Sequence, residues 1–248
     1  MIKKSLLVVL LALISTISPV TYSFDFDFGL YQLNRGEFKK AIEEFEPLLE
    51  EGYAPAQYQM GLIYLNGYSV PKDPKKAFEL FTLAAEQHYP DAQFDLALMY
   101  SEGKVVEKDL KRAFELTEKA ANKNLASAQF NLGVMYYNGD GVKQDDFKAS
   151  RWFQRAADMN YALAQFNLAL MYYDGRGVQK STEMSYIWNS IAARNGYKDA
   201  EKSQAMDERN LTAEKLEKAR EKAERIYHKI IEQANLRNKL ANEKSLID

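Results

Sequence analysis

Apolar residues recur along this chain in short stretches of helical period, each closed by glycine or asparagine. In "SAQFNLGVMYYNG", Ala128, Leu132, Met135 and Tyr136 fall at i, i+4, i+7 and i+8, one face of a helix. Gly139 and Gly141 then break the pattern. In "DDFKASRWFQRAADMN", Ala149, Trp152, Phe153, Ala156 and Ala157 share one side, which predicts a second helix. Asp145 suits its N-cap, because a carboxylate there accepts from the free amides of the first turn. Asp73 and Asp109 hold the same slot, and Pro74 fits a first helical position, where no N–H is needed.

The two-helix pattern returns every 36 residues. Gln57, Gln93, Gln129 and Gln165 keep that spacing, as do Tyr64, Tyr100, Tyr136 and Tyr172, and Gly67, Gly103, Gly139 and Gly175. Four full units follow, at 54–89, 90–125, 126–161 and 162–197, so the fold is a stack of repeats and not a single closed core. Gly61, Ala97, Gly133 and Ala169 stand mid-helix at equivalent positions. A mid-helix glycine costs about 1 kcal/mol against alanine, so its recurrence predicts the close approach of a neighbouring helix backbone. Gly52, His88, Asn124, Asn160 and Gly196 each lie just past a helical pattern, the slot of a left-handed capping residue. That register gives His88 a capping role and not that of a ligand or base.

The ends depart from the repeat. "MIKKSLLVVLLALISTISPVTYS" has two lysines, an apolar run from Leu6 to Ile17 and a small polar end, the layout of a secretory signal peptide over 1–23. The run is short for a membrane span, so no stable membrane insertion is expected after cleavage. The solenoid is expected over 24–210, and a Gly- and Pro-free C-terminal helix over 211–248, whose narrow stripe of Leu216, Ala219, Ala223, Ile226 and Ile230 suits a lid on the last repeat. The net charge of −2 becomes −4 once Lys3 and Lys4 leave with the leader, which argues against nucleic acid as partner. There is no cysteine, which excludes disulfides and thiol chemistry.

"AxAQFNLGVMYYNGDGV" with the later "KA", "W" and "AA" resembles the Sel-one-like repeat (SLR), a longer-looped cousin of the tetratricopeptide repeat. Ser69 and Val105 replace the second loop glycine in units one and two, and Leu80 and Leu116 replace the tryptophans Trp152 and Trp188. "LNRGEFKKAIEEFEPLLEEGY" is similar to a tetratricopeptide unit with its loop cut short. The resemblance implies an all-α solenoid of about five antiparallel helix pairs in a right-handed superhelix, ended by the long C-terminal helix.

It also implies an adaptor that takes a protein or peptide partner on a concave face built from the first helix of each unit. The partner-binding candidates there are Leu62, Leu98, Val134 and Leu170, then Leu65, Tyr137 and Tyr173, with Asn138 and Asp174 at the rim. Tyr58, Phe94, Phe130 and Phe166 lie on the same helices, where core packing competes with a groove role. With Leu65 and Ser101 in the tyrosine slot of units one and two, the aromatic surface is expected in the later half. The alternative that the resemblance carries is a cell-wall or β-lactam ligand-binding protein or hydrolase. Ser69 to Lys72 and Ser101 to Lys104 match S-x-x-K, but both fall in loops and lack the companion motifs of a serine acyl-enzyme. No enzyme, cofactor or metal is expected, and the leader places the protein in the periplasm or outside the cell.

Overall fold

The computed structural model describes residues 25–244; the expected leader at 1–23 lies outside the described residues. Every described element is helical. Five helix pairs follow one another: α1 (Phe26–Asn34) with α2 (Phe38–Glu50), α3 (Ala54–Asn66) with α4 (Pro74–Glu86), α5 (Pro90–Glu102) with α6 (Leu110–Asn122), α7 (Ala126–Asn138) with α8 (Asp146–Asp158), and α9 (Ala162–Asp174) with α10 (Thr182–Arg194). Each helix packs on its neighbours in sequence, which is the nearest-neighbour order of a solenoid. A further short helix, α11 (Lys198–Arg209), takes the first-helix place of a sixth unit, so the stack runs one helix beyond the five expected pairs. The long α12 (Ala213–Lys244) then packs back on α10.

The ends of these helices follow from their residues. Asp73 accepts from the amides of Lys75 and Lys76, Asp109 from Arg112, Asp145 from Lys148, and Ser181 from Met184. His88, Asn124 and Asn160 have φ of 64°, 64° and 66°, so all three are left-handed caps.

The neighbour nearest each mid-helix glycine is a ring, with the predicted neighbouring backbone behind it at Gly133, where the Ala149 carbonyl would stand 3.3 Å from a Cβ. At Gly61 the three nearest atoms all belong to one ring. A Cβ there would stand 2.5 Å from the ring of Phe81, and one at Gly133 would stand 2.7 Å from the ring of Phe153. Gly29 in the first pair meets Phe45 in the same way, at 2.5 Å. Where the first helix carries Ala97 or Ala169, the position of that ring is held by the smaller Thr117 and Asn189. Three of the five pairs, α1 with α2, α3 with α4 and α7 with α8, are therefore closed by a phenylalanine ring of the second helix entering a glycine notch in the first.

Rings also tie each unit to the next. Tyr58 packs on Phe81 of α4 at 5.6 Å between centroids and on Tyr89, the residue that caps the start of α5, at 5.3 Å. Phe130 repeats the arrangement with Phe153 and Tyr161, and Phe26 with Phe45 and Tyr53. The recurrent glutamines form a second seam. Gln93, Gln129 and Gln165 are buried and donate to the carbonyls of Ala85, Ala121 and Ala157, at the end of the preceding second helix. The glutamine oxygen of Gln57 is met by Gln87, and that of Gln165 by Asn195. Lys123 and Met159 hold the equivalent places, and the oxygens of Gln93 and Gln129 are left without a donor.

At the C-terminal end, buried Asp207 of α11 accepts from Ser185 at 2.8 Å and Asn189 at 2.9 Å. Ala219, Ala223 and Ile230 of α12 join the core beside Ile187, Trp188 and Ile191. Arg194 pairs with Glu224 and Arg220 with Glu208 around that contact.

A donor restored at the third glutamine should stabilise the stack. Met159→Asn, which copies Asn195 of the next unit, is expected to raise stability by about 1 kcal/mol, the net worth of one hydrogen bond. Chemical denaturation measures it; a variant no more stable than the parent would show that water already serves the Gln129 oxygen.

Candidate functional site

The first helices α3, α5, α7 and α9 share one face of the stack, and two recesses on it meet at Leu98. The first, of about 430 Å³, is lined by Leu65, Pro74, Asp95, Leu98, Met99 and Val105, with Lys72 and Lys104 among the lining residues from the loops. The second, of about 140 Å³, is lined by Leu98, Ser101, Asn131, Val134 and Asp140 among others.

The first recess has a local cause. In units three and four the second loop glycine is left-handed and lies hard against the start of the preceding second helix. A Cβ on Gly141 would collide with the Leu110 carbonyl, and one on Gly177 with that of Asp146. The matching contact in unit two would join Val105 to Pro74. A β-branched residue resists the left-handed region, and Val105 does not adopt it, unlike Ser69 with φ of 59°. Val105 and Pro74 instead line the recess.

Asp95 gives this recess its electrostatic character. It stands where the other units carry Gln59, Asn131 and Asn167. The Tyr58 hydroxyl donates to it at 3.0 Å. Burial pushes the Asp95 carboxyl above its ordinary value, the Tyr58 hydrogen bond opposes that rise, and Asp91 one turn away adds to it. Burial raises Asp91 as well, and the Tyr58 hydroxyl is pushed far up, first by burial and then by Asp95.

The sequence candidates divide on this face. Leu65 and Leu98 come together in the first recess, and Leu98 and Val134 in the second. Leu62 is half-buried, while Leu98, Leu170 and Tyr173 are 37%, 38% and 38% exposed, the most open apolar side chains of this set. Tyr137 is not an open ring: the Arg176 guanidinium lies 3.9 Å over it, held by two hydrogen bonds to Asp146. Tyr173 is covered more loosely, by Lys180 at 5.6 Å. Asn138 donates to Asp140 within its own loop, and Asp174 is exposed. Tyr136 is buried as the partner of Phe114, whereas Tyr172 is half-buried because Ser150 stands where that phenylalanine would be. The expected weight of aromatic surface in the later half is thus reduced by Arg176, and the larger recess lies between units one and two.

Of the two S-x-x-K serines, Ser69 is exposed in its loop and Ser101 donates to the Leu98 carbonyl at 2.8 Å. Among the described residues no group of acidic or histidine side chains is placed to hold a metal, and no helix is long and apolar enough to cross a membrane.

A family model for the Sel1 repeat matches residues 54–89, 90–125, 126–161 and 162–197. Among solved structures, a Sel1 repeat protein from Oxalobacter formigenes is 26% identical with a TM-score of 0.69, over 73% of this chain and 74% of that one. A protective antigen present in uropathogenic Escherichia coli strains, displaying an SLR fold, is 27% identical with a TM-score of 0.55, over 84% of this chain and 55% of that one. No curated protein matches the chain.

Burial at Asp95 makes stability depend on pH in a defined direction. Its folded-state value lies above the unfolded one, so its contribution is fully present below about pH 3.9 and is lost as pH rises through the folded value. Asp95→Asn removes that loss. The melting temperature of the variant should gain on the parent as pH rises from 4 to 7; a gap that is constant or shrinks would show that the Tyr58 hydrogen bond outweighs burial.

Proposed function

We propose a binding role from one premise: the chain belongs to the Sel1 repeat family. Such solenoids are in general protein-interaction modules, and the face of the first helices is the surface proposed for the partner here. The partner is an extended protein segment that seats an apolar side chain in the recess at Leu98. Leu65 and Met99 supply the walls, and Leu170 and Tyr173 offer apolar surface further along the same face. Asp95 suits a basic side chain next to that apolar anchor, because its hydrogen-bond partner is the neutral Tyr58 hydroxyl.

The observation that carries this reading is the recess itself. It is built where a repeat loop fails to close, it is walled by apolar side chains, and it holds an acid where the other units hold amides. Burying an apolar side chain beside a paired charge is a common basis of a binding hot spot. The leader-like stretch at 1–23 supports export, and the proposed place of action is the periplasm or the cell exterior.

The test begins with a photoreactive residue at Leu98, used in the native host to trap the partner, and the intact mass of the recovered protein reports whether 1–23 has been removed. Leu98→Asp should weaken binding of the trapped partner by about 2 kcal/mol, roughly thirtyfold, with an unchanged melting temperature because the side chain is 37% exposed. Tyr173→Ala should weaken it less. Leu83→Asp, on the exposed side of α4, should leave it unaltered. Parent-like binding by Leu98→Asp would remove this face from consideration.

A further inference from the structure

The two ends of the stack are finished differently. At the C-terminal end α11 and α12 cover the last pair. At the other end α1 is the outermost described helix, and its outer side is apolar. The repeat register shows why this matters. The contacts of Gly29 with Phe45, and of Phe26 with Phe45 and Tyr53, match those of Gly61 with Phe81, and of Tyr58 with Phe81 and Tyr89. Phe28 therefore stands in the place of Met60, Leu96, Leu132 and Leu168, and Tyr31 in the place of Ile63, Met99, Met135 and Met171. All eight of those residues are buried against the preceding unit, none more than 9% exposed. Phe28 is 45% and Tyr31 53% exposed, and their rings stack on each other at 6.2 Å. Among the described residues, the surface that elsewhere joins unit to unit is open here.

The charges around it are self-complementary. Asp27, Tyr31 and Arg35 are spaced i, i+4 and i+8, so they run along one side of α1 past its end, beside Phe28. Arg35 confirms the placement by donating to the Tyr31 hydroxyl at 2.8 Å, with its guanidinium 5.5 Å from that ring. The acid is at one end of the strip, the base at the other, and the exposed ring at the centre. A second α1 laid antiparallel over the first brings Asp27 of each copy to Arg35 of the other, with the two Tyr31 rings at the middle. Antiparallel helices also set their macrodipoles in the favourable sense.

We propose that this open side of α1 is a self-association surface on which a second copy of the chain docks, α1 antiparallel to α1 about a two-fold axis at Tyr31. The symmetry is isologous, and the contact closes at two copies and does not extend into a filament. One helix pair makes a small interface, so the dimer is weak and depends on concentration.

Sedimentation of the full chain as recovered from its host tests this. The parent should shift from monomer to dimer as concentration rises into the high micromolar range. Asp27→Arg alone and Arg35→Asp alone each place like charges opposite one another, and each should weaken self-association by about tenfold or more. An equimolar mixture of these two variants restores both opposite-charge contacts and should dimerise at least as well as the parent. Tyr31→Ser with Phe28→Ser should be monomeric throughout, and thermal melts check that every variant keeps its fold. A parent that stays monomeric at all concentrations overturns the proposal and leaves the face to residues 1–24 or to another protein. A parent dimer that survives both single charge reversals, or variants that fail to dimerise when mixed, overturns the antiparallel α1 geometry.

Discussion

One contact recurs in three of the five helix pairs: a phenylalanine ring that the second helix drives into a glycine of the first. At Gly61 and Gly133 the visitor is a phenylalanine ring, and the notch exists because glycine has no Cβ to fill it. Where alanine stands in place of the glycine, at Ala97 and Ala169, the smaller Thr117 and Asn189 hold the register position of the ring, and Asn189 donates to Asp207 of α11. The two positions vary together, the larger visitor facing the residue without a Cβ. The recurrent rings and glutamines then link each closed pair to the next, and the stack inherits its regularity from these two seams.

The function proposed for the face of the first helices depends on a failure of that regularity. Gly141 and Gly177 let their loops reach the preceding unit, and the recess left beside Gly141 is small, about 140 Å³. Val105 does not adopt the left-handed turn, and the space beside Pro74 and Leu98 is the larger of the two recesses on this face. Asp95 lies in the same unit, so the two departures from the repeat converge on one place. A solenoid whose units were all alike would offer an even strip; this one offers a position.

Much of the fold was legible from residue spacing alone, because spacing encodes helix phase directly. The five pairs, the N-caps at Asp73, Asp109 and Asp145, and the left-handed caps at His88, Asn124 and Asn160 all follow from it. The reason for the mid-helix glycines did not follow, since the ring that fills the notch is 20 residues away in sequence at Gly61 and Gly133, and 16 at Gly29, across the hairpin loop. The α11 helix was hidden because its face is polar, Gln204 and Glu208 standing where leucine and tyrosine stand in the other units. The recess had a visible signal in Val105 and in Asp95 among Gln59, Asn131 and Asn167, but only the fold shows that the two lie together. Tyr137 looked free in sequence because Arg176, which covers it, comes from the loop of the next unit.

The most direct test of this account is a double-mutant cycle at one notch. Gly133→Ala improves helix propensity by about 1 kcal/mol, yet it should destabilise the protein, since overpacking against the Phe153 ring costs roughly 1–3 kcal/mol. Phe153→Thr should cost about 3 kcal/mol or more through the lost ring. The double variant reproduces the Ala97 and Thr117 pair of unit two, and denaturant unfolding should find it more stable than Phe153→Thr alone, with a coupling of about 1–3 kcal/mol. Strict additivity of the two changes, or a Gly133→Ala variant more stable than the parent, would contradict the claim that the ring and the notch define the pair.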